Sequence, residues 1–252
     1  MPLGWLEHGG KKYSLEDVEK GALAEYYPKT YLNQVLSQRE WTGTPSVTQL
    51  LNGTRQEYLK IMTEWGYSPD DAAWLVLGIG AHKNLENSAP EEADAELSLR
   101  TDYVTGITDL LEQKPDKTCR IVDYKTLGSY KVKMLKSQNA WFDYGMQVNM
   151  YRIMAQEQFP NRDINEMKLF VIVRDGGTFS AKKNGIEETN KFLDVPRYDD
   201  DEVKTFFKEK RDALVNAVTN KELPDKCNDR ETWNGRRCNG YCPVANACKA
   251  TW

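Results

Sequence analysis

Stretches with helical period lie before, between and after short β-type runs along this chain. That order is the strongest constraint on its fold, because strands that alternate with helices bury their apolar faces between layers, as in an α/β domain. The best helices announce their own ends. In Ser68-Pro69-Asp70-Asp71 a hydroxyl can cap free amides, proline suits the first helical position, and acids meet the positive end of the dipole. The helix that follows carries Trp74, Leu77, Gly78, Ala81 and Leu85 as an apolar stripe, with His82 and Glu86 one turn apart on a neighbouring face. Another, from Asn139 to Phe159, has Trp141, Tyr144, Val148, Tyr151 and Ala155 at helical spacing, and a last one starts at Asp199 and should bury Val203, Phe206, Phe207, Leu214 and Val218.

The β-type pattern covers one or two strands across Ala95 to Leu111 and a short strand from Cys119 to Thr126. Leu169 to Val173 is continuously apolar, which predicts a strand buried on both faces and ended by Gly176-Gly177. The first sixty residues read as mostly helical, broken at Pro28, Gly43 and Pro45, with Thr44 or Ser46 able to cap a helix through Leu50, Leu51 and Tyr58. The expected organisation is an N-terminal helical lobe over 1–66, a core over 67–220 and a cysteine-rich tail over 221–252 packed on the core.

A hydrophobic share of 40% and a charged share of 29% suit a folded globular chain. The net charge of -4 excludes a protein that coats nucleic acid through a basic overall surface, so any phosphate contact must be local, as around Lys125, Lys131, Lys133 and Lys136. No apolar run is long enough to span a bilayer and Met1 to Lys12 lacks a signal-peptide pattern, so a cytoplasmic protein with no membrane partner is expected.

Within Ile121-Val122-Asp123-Tyr124-Lys125, alternate side chains share a face, so Asp123 and Lys125 project together while Tyr124 points away. If the preceding strand pairs with this one as a hairpin, Asp109 joins them and two carboxylates converge beside one ammonium. Phosphodiester hydrolysis needs a hard cation to polarise a phosphoryl oxygen and acidify water, and Mg2+ favours one or two carboxylates with waters. A lysine beside such an ion can orient water and offset developing charge. Two further pairs accompany the set in order: Gly78-x-x-x-His82 before it, and Gln147-x-x-x-Tyr151 after it. Four of the five cysteines, Cys227, Cys238, Cys242 and Cys248, fall in the last stretch, where Gly235, Gly240 and Pro243 supply turns. In a reducing compartment such thiols favour metal over disulfides, and four thiolates suit either tetrahedral zinc or an iron–sulfur cluster.

With these motifs in this order, the chain from Ser46 onward resembles the RecB-like branch of the PD-(D/E)xK nucleases. That branch includes CRISPR-associated iron–sulfur exonucleases and the nuclease domains of bacterial recombination helicases. The resemblance implies a restriction-endonuclease-like core, a central mixed β-sheet flanked by helices. It implies that His82, Asp109, Asp123 and the backbone carbonyl of Tyr124 hold Mg2+ or Mn2+, that Lys125 is catalytic, and that Gln147 and Tyr151 position substrate or the lysine. It also implies a [4Fe-4S] cluster on the four tail cysteines, with Zn2+ as the alternative. Many relatives carry their first cluster cysteine in a Cys-Pro-Arg segment, where this chain reads Asn52-Gly53-Thr54-Arg55. Cys227 is then the expected replacement, and the cluster is expected to staple only the tail.

The activity implied is exonucleolytic cleavage of single-stranded DNA or duplex ends, in recombination, repair or phage DNA processing, alongside a helicase or other recombination partner. One alternative is a site-specific endonuclease, which needs a DNA-reading element. Another is a non-catalytic DNA-binding or assembly protein with a structural metal, which has no chemical need for the acids and lysine.

Overall fold

In a computed structural model the protein is described over residues 3–37, 40–137 and 140–251. The chain opens with β1 (Leu3–His8) and β2 (Lys11–Ser14), followed by α1 (Leu15–Glu19), α2 (Lys29–Leu36), α3 (Val47–Leu51) and α4 (Thr54–Met62). Next come β3 (Trp65–Tyr67), α5 (Ala73–Glu86), β4 (Asp94–Arg100), β5 (Thr105–Gln113) and β6 (Cys119–Leu127). Then follow α6 (Ser129–Lys136), α7 (Phe142–Gln158), β7 (Ile164–Val173), α8 (Phe179–Lys183), β8 (Asn190–Asp194), α9 (Asp200–Asn220), α10 (Asp229–Thr232) and α11 (Ala245–Lys249).

Contacts divide the chain into two compact units at four points, two flanking α3 and two within α5 and α9. The first holds residues 1–45, 52–77 and 209–252; the second holds 46–51 and 78–208. The sequence reading attached the cysteine tail to the core, whereas its contacts group it with the N-terminal segments. The physical reason is polar: Arg55 donates to the Pro224 carbonyl and to Thr251 Oγ1, while Lys210 and Arg237 donate to Asn52.

The first unit also corrects the mostly helical expectation for the N-terminus, since β1 pairs antiparallel with β2 and parallel with β3. Gly9 and Gly10, at φ 57° and 76°, form the tight turn between β1 and β2, the backbone region only glycine enters freely. The helix expected through Leu50 to Tyr58 is likewise split into α3 and α4 at Asn52-Gly53. Ser46 caps α3 as foreseen, accepting from the Gln49 amide while the Gln49 side chain accepts from the Ser46 amide.

The second unit is a five-stranded mixed sheet, order β4-β5-β6-β7-β8, in which β6 and β7 are parallel and the other pairs antiparallel. A parallel pair needs a crossover, and α6 with α7 supplies it. α7 lies against β4, β5, β6, β7 and α3 and is buried on every side from Gly145 to Ala155. Its expected start, Asn139, lies outside the described residues. The continuous apolar run of β7 buries one face fully at Met167, Leu169, Val171 and Val173, while Phe170 and Ile172 stay half-buried, so it is not sealed on both faces. The stripe expected to bury α5 is not buried either: Trp74 is 60% exposed and Leu77 49%. No helix among the described residues is long and apolar enough to cross a membrane.

The N-terminus of α6 is capped from a distance. Asp175, just past β7, accepts from the Ser129 amide and hydroxyl, both at 2.6 Å, and Asn184 donates to the same hydroxyl. These donors hold the Asp175 carboxyl below the ordinary aspartate value. A depressed folded value stabilises the protein above the unfolded value and is lost as pH falls through the folded one. Asp175→Ala is therefore expected to cost about 0.5–2 kcal/mol at neutral pH, the range for a helix cap. In urea unfolding the gap should shrink as pH drops below about 4; a gap that stays constant into acid would refute the capping role.

Candidate functional site

The site begins with strand register. β5 and β6 pair from Gln113↔Cys119 to Leu110↔Val122, and the next residues in the same register are Asp109 and Asp123. There the strands diverge, and the Asp109 carboxylate enters the gap, accepting the Tyr124 amide at 2.5 Å. On the other side, β4 pairs with β5 at Ala95↔Leu110 and Leu97↔Thr108, so Glu96 falls opposite Asp109. Glu96 is skipped by the ladder and has φ 47°, a left-handed conformation uncommon for a side-chain-bearing residue. Three carboxylates thus stand in one row across three adjacent strands.

From α5, His82 reaches this row with Nδ1 3.3 Å from Asp109 Oδ1. One ligand atom from each of His82, Glu96 and Asp109 lies within 4.8 Å of the others, a spacing one ion can bridge. Glu86, one turn beyond His82 on α5, instead pairs with Lys83 at 2.8 Å. Glu96 is a residue that no sequence motif singles out; counting the β4–β5 register back from a hairpin aligns it with Asp109.

Asp123 is 1% exposed, and a carboxylate so buried must be compensated. The Lys125 ammonium contacts its Oδ2, and Gln147 Nε2 donates to its Oδ1 at 3.2 Å. Oδ2 has charge beside it but no hydrogen bond of good geometry, leaving a buried lone pair for a cation. Burial is the main force pushing the Asp123 carboxyl up, Lys125 opposes it, and Asp109 adds to it. Burial and then the charges of Asp109 and Glu86 push Glu96 up as well, while hydrogen bonding to Asp109 raises His82 against the effect of burial. The charge of Asp109 that raises Asp123 and Glu96 is one that a divalent ion would offset.

Gln147 and Tyr151 meet on α7, where Gln147 Nε2 lies 3.2 Å from Tyr151 Oη. The Tyr151 ring presses on β5 at Gly106, where a Cβ would stand 2.6 Å from Tyr151 Cε1; this close approach accounts for the glycine. Tyr144 sits 5.8 Å from Lys125 Nζ and 5.3 Å from Lys131 Nζ, and burial with the Asp123 charge pushes its hydroxyl up to about 12. Of the basic stretch, Lys131 thus reaches the site's edge, while Lys133 and Lys136 are exposed on α6. Tyr124 touches the site through its amide, and its ring packs edge-on to His82 at 6.0 Å. His82, Asp109, Asp123, Tyr124, Lys125, Gln147 and Tyr151 all belong to the second unit; of the expected metal ligands, His82 and Asp109 fall with Glu96 in the group of converging donor atoms and Asp123 stands outside it.

The remaining candidates, Cys227, Cys238, Cys242 and Cys248, are half-buried free thiols in the other unit. Cys227 feels the charge of Cys248, and Cys242 that of Cys238 and Cys227, so the four share one neighbourhood. Burial pushes Cys227 and Cys242 up, opposed by the backbone amides of Gln56 and Val244 respectively. No three of these sulfurs lie mutually within 4.8 Å. A tetrahedral ion at about 2.3 Å from each thiolate would gather them to roughly 3.8 Å. The expectation that Cys227 leaves the N-terminal segments untied is corrected, because its sulfur lies against Gly53 and its bonded amide, Gln56, belongs to α4.

A search of curated proteins gives no match. Among solved structures, one titled "Crystal structure of SSO0001" superposes with a TM-score of 0.52 at 17% identity, covering 93% of this chain and 99% of that one. At that identity the likeness speaks for the fold alone. The profile of the PD-(D/E)XK nuclease superfamily matches residues 22–249, most of the chain and all of the carboxylate site, and the protein belongs to that superfamily.

Proposed function

We propose that the chain is an Mg2+- or Mn2+-dependent deoxyribonuclease acting on single strands or duplex ends. The observation that carries this reading is Asp123, a buried carboxylate paired with Lys125 and placed in register with Asp109. Asp109, Asp123, His82 and the Tyr124 carbonyl are the assigned metal ligands, and Glu96 joins them because it shares their row. An ion held there supplies Lewis-acid polarisation of a phosphoryl oxygen and acidification of water. Lys125 offsets charge that builds on the phosphorus oxygens and orients the attacking water, while Gln147 and Tyr151 fix the Asp123 side from α7. The work suits recombination, repair or phage DNA processing with a helicase partner. At the tail we assign a [4Fe-4S] cluster to the four cysteines, with Zn2+ as the alternative, supported by a donor set of four free thiols that share one neighbourhood.

Purified protein with Mg2+ is expected to shorten end-labelled linear DNA and to stop when a chelator is added. Asp123→Ala and Lys125→Ala should each lose at least about 10^2-fold in rate while still binding DNA. Covalently closed circles should survive; their cutting would replace the end-directed reading with an endonuclease, and equal rates in the variants would remove these residues from the chemistry.

Glu96→Gln tests the row itself. Mn2+ titration calorimetry should show affinity reduced by at least about tenfold, since even partners outside the ligand shell cost that much when lost. Unchanged affinity would return Glu96 to an ordinary strand acid.

A further inference from the structure

Gly53 precedes the first turn of α4 at φ -63° and ψ 133°, a conformation open to every residue, so its backbone does not require glycine. Nor does capping, for which Ser, Thr, Asn or Asp serve better. What requires glycine is a sulfur atom: a Cβ on residue 53 would lie 2.2 Å from Cys227 Sγ and 3.2 Å from Cys227 Cβ. The same sulfur accepts the Gln56 amide in the first turn of α4, doing from a distant segment what a capping side chain does locally. Around this contact, Lys210 Nζ bridges the Asn52 carbonyl and Glu231 Oε1, each at 2.7 Å, and Arg237 donates to Asn52 Oδ1. Glu231, in turn, closes a capping box with Asn228 that fixes the residue after Cys227.

We infer that Gly53 and the N-terminus of α4 form a receptor for the Cys227 thiolate, so that a metal centre on the four cysteines fastens α4 to the C-terminal tail. This rests on the reading of those cysteines as metal ligands. The helix end suits an anionic ligand, since its amides and dipole favour negative charge. Gly53 is a positioning residue in this arrangement, because it clears the space the sulfur occupies and touches no metal itself.

The test is iron and zinc content per chain, and metal retention under chelator challenge, for the full chain purified anaerobically. Wild type should carry metal and Cys227→Ala should lose it. Gly53→Ala, with all four cysteines intact, should retain metal about 10- to 100-fold more weakly, the range for loss of a ligand's supporting partner. The transposed variant Gly53→Cys/Cys227→Ala should regain metal, because a thiol on residue 53 starts from the point where the Cys227 sulfur now sits. Should Gly53→Ala fail to fold, Gly53→Ala/Cys227→Ala should fold with ordinary circular dichroism, which places the clash at that sulfur; failure of both overturns the receptor. Metal-free wild type would sink the metal-centre reading and this inference with it. Loaded wild type with fully loaded Gly53→Ala, or with fully loaded Cys227→Ala, would overturn the receptor alone.

Discussion

The second unit depends on the burial of one negative charge. Asp123 lies on a central strand with almost no contact with solvent, an arrangement that costs several kcal/mol unless neighbours compensate. The compensation comes from two directions, Lys125 on the same strand and Gln147 on the crossover helix, while the end of the β5–β6 ladder brings Asp109 alongside as a second negative charge that raises the cost. Each requirement fixes a piece of the architecture. Lys125 must alternate with Asp123, α7 must lie against the sheet, and β5 must diverge where the carboxylates meet.

Much of this was legible in the sequence because it is local. The alternation Asp123-Tyr124-Lys125, the helical spacing of Gln147 and Tyr151, and the cap at Ser68 all follow from geometry within a few residues. What escaped is either tertiary or was misweighed. The Gly9-Gly10 hairpin carried a plain turn signal, which the helical reading of the surrounding segment overrode. Glu96 becomes meaningful only after the β4–β5 register is counted across two strands. The segment Asn52-Gly53-Thr54-Arg55 reads only as lacking a cysteine, and the folded chain alone shows the Cys227 sulfur lying against Gly53. For α5, the periodic stripe gave the right element and the wrong burial, since periodicity states that a helix has an apolar side without stating what lies against it.

The two candidate centres follow opposite electrostatic logic. In the carboxylate row, hard oxygen donors crowd together and repel one another until a small divalent ion intervenes, which suits exchangeable Mg2+. In the tail, soft sulfur donors come from turns and short helices, and beside the amides that reach Cys227 and Cys242 the segments are held by Asn228 with Glu231, Lys210 with Asn52 and Arg55 with Thr251.

The all-round burial of α7 has a further consequence. A helix with no solvent-facing side over Gly145 to Ala155 has no low-energy route to local opening, so its amides should exchange hydrogen only when the whole unit unfolds. Gln147 and Tyr151 are therefore carried on the slowest-breathing part of the domain. Breathing at the edges of the sheet leaves their aim unchanged, and the timing of any motion that admits a substrate must come from other segments.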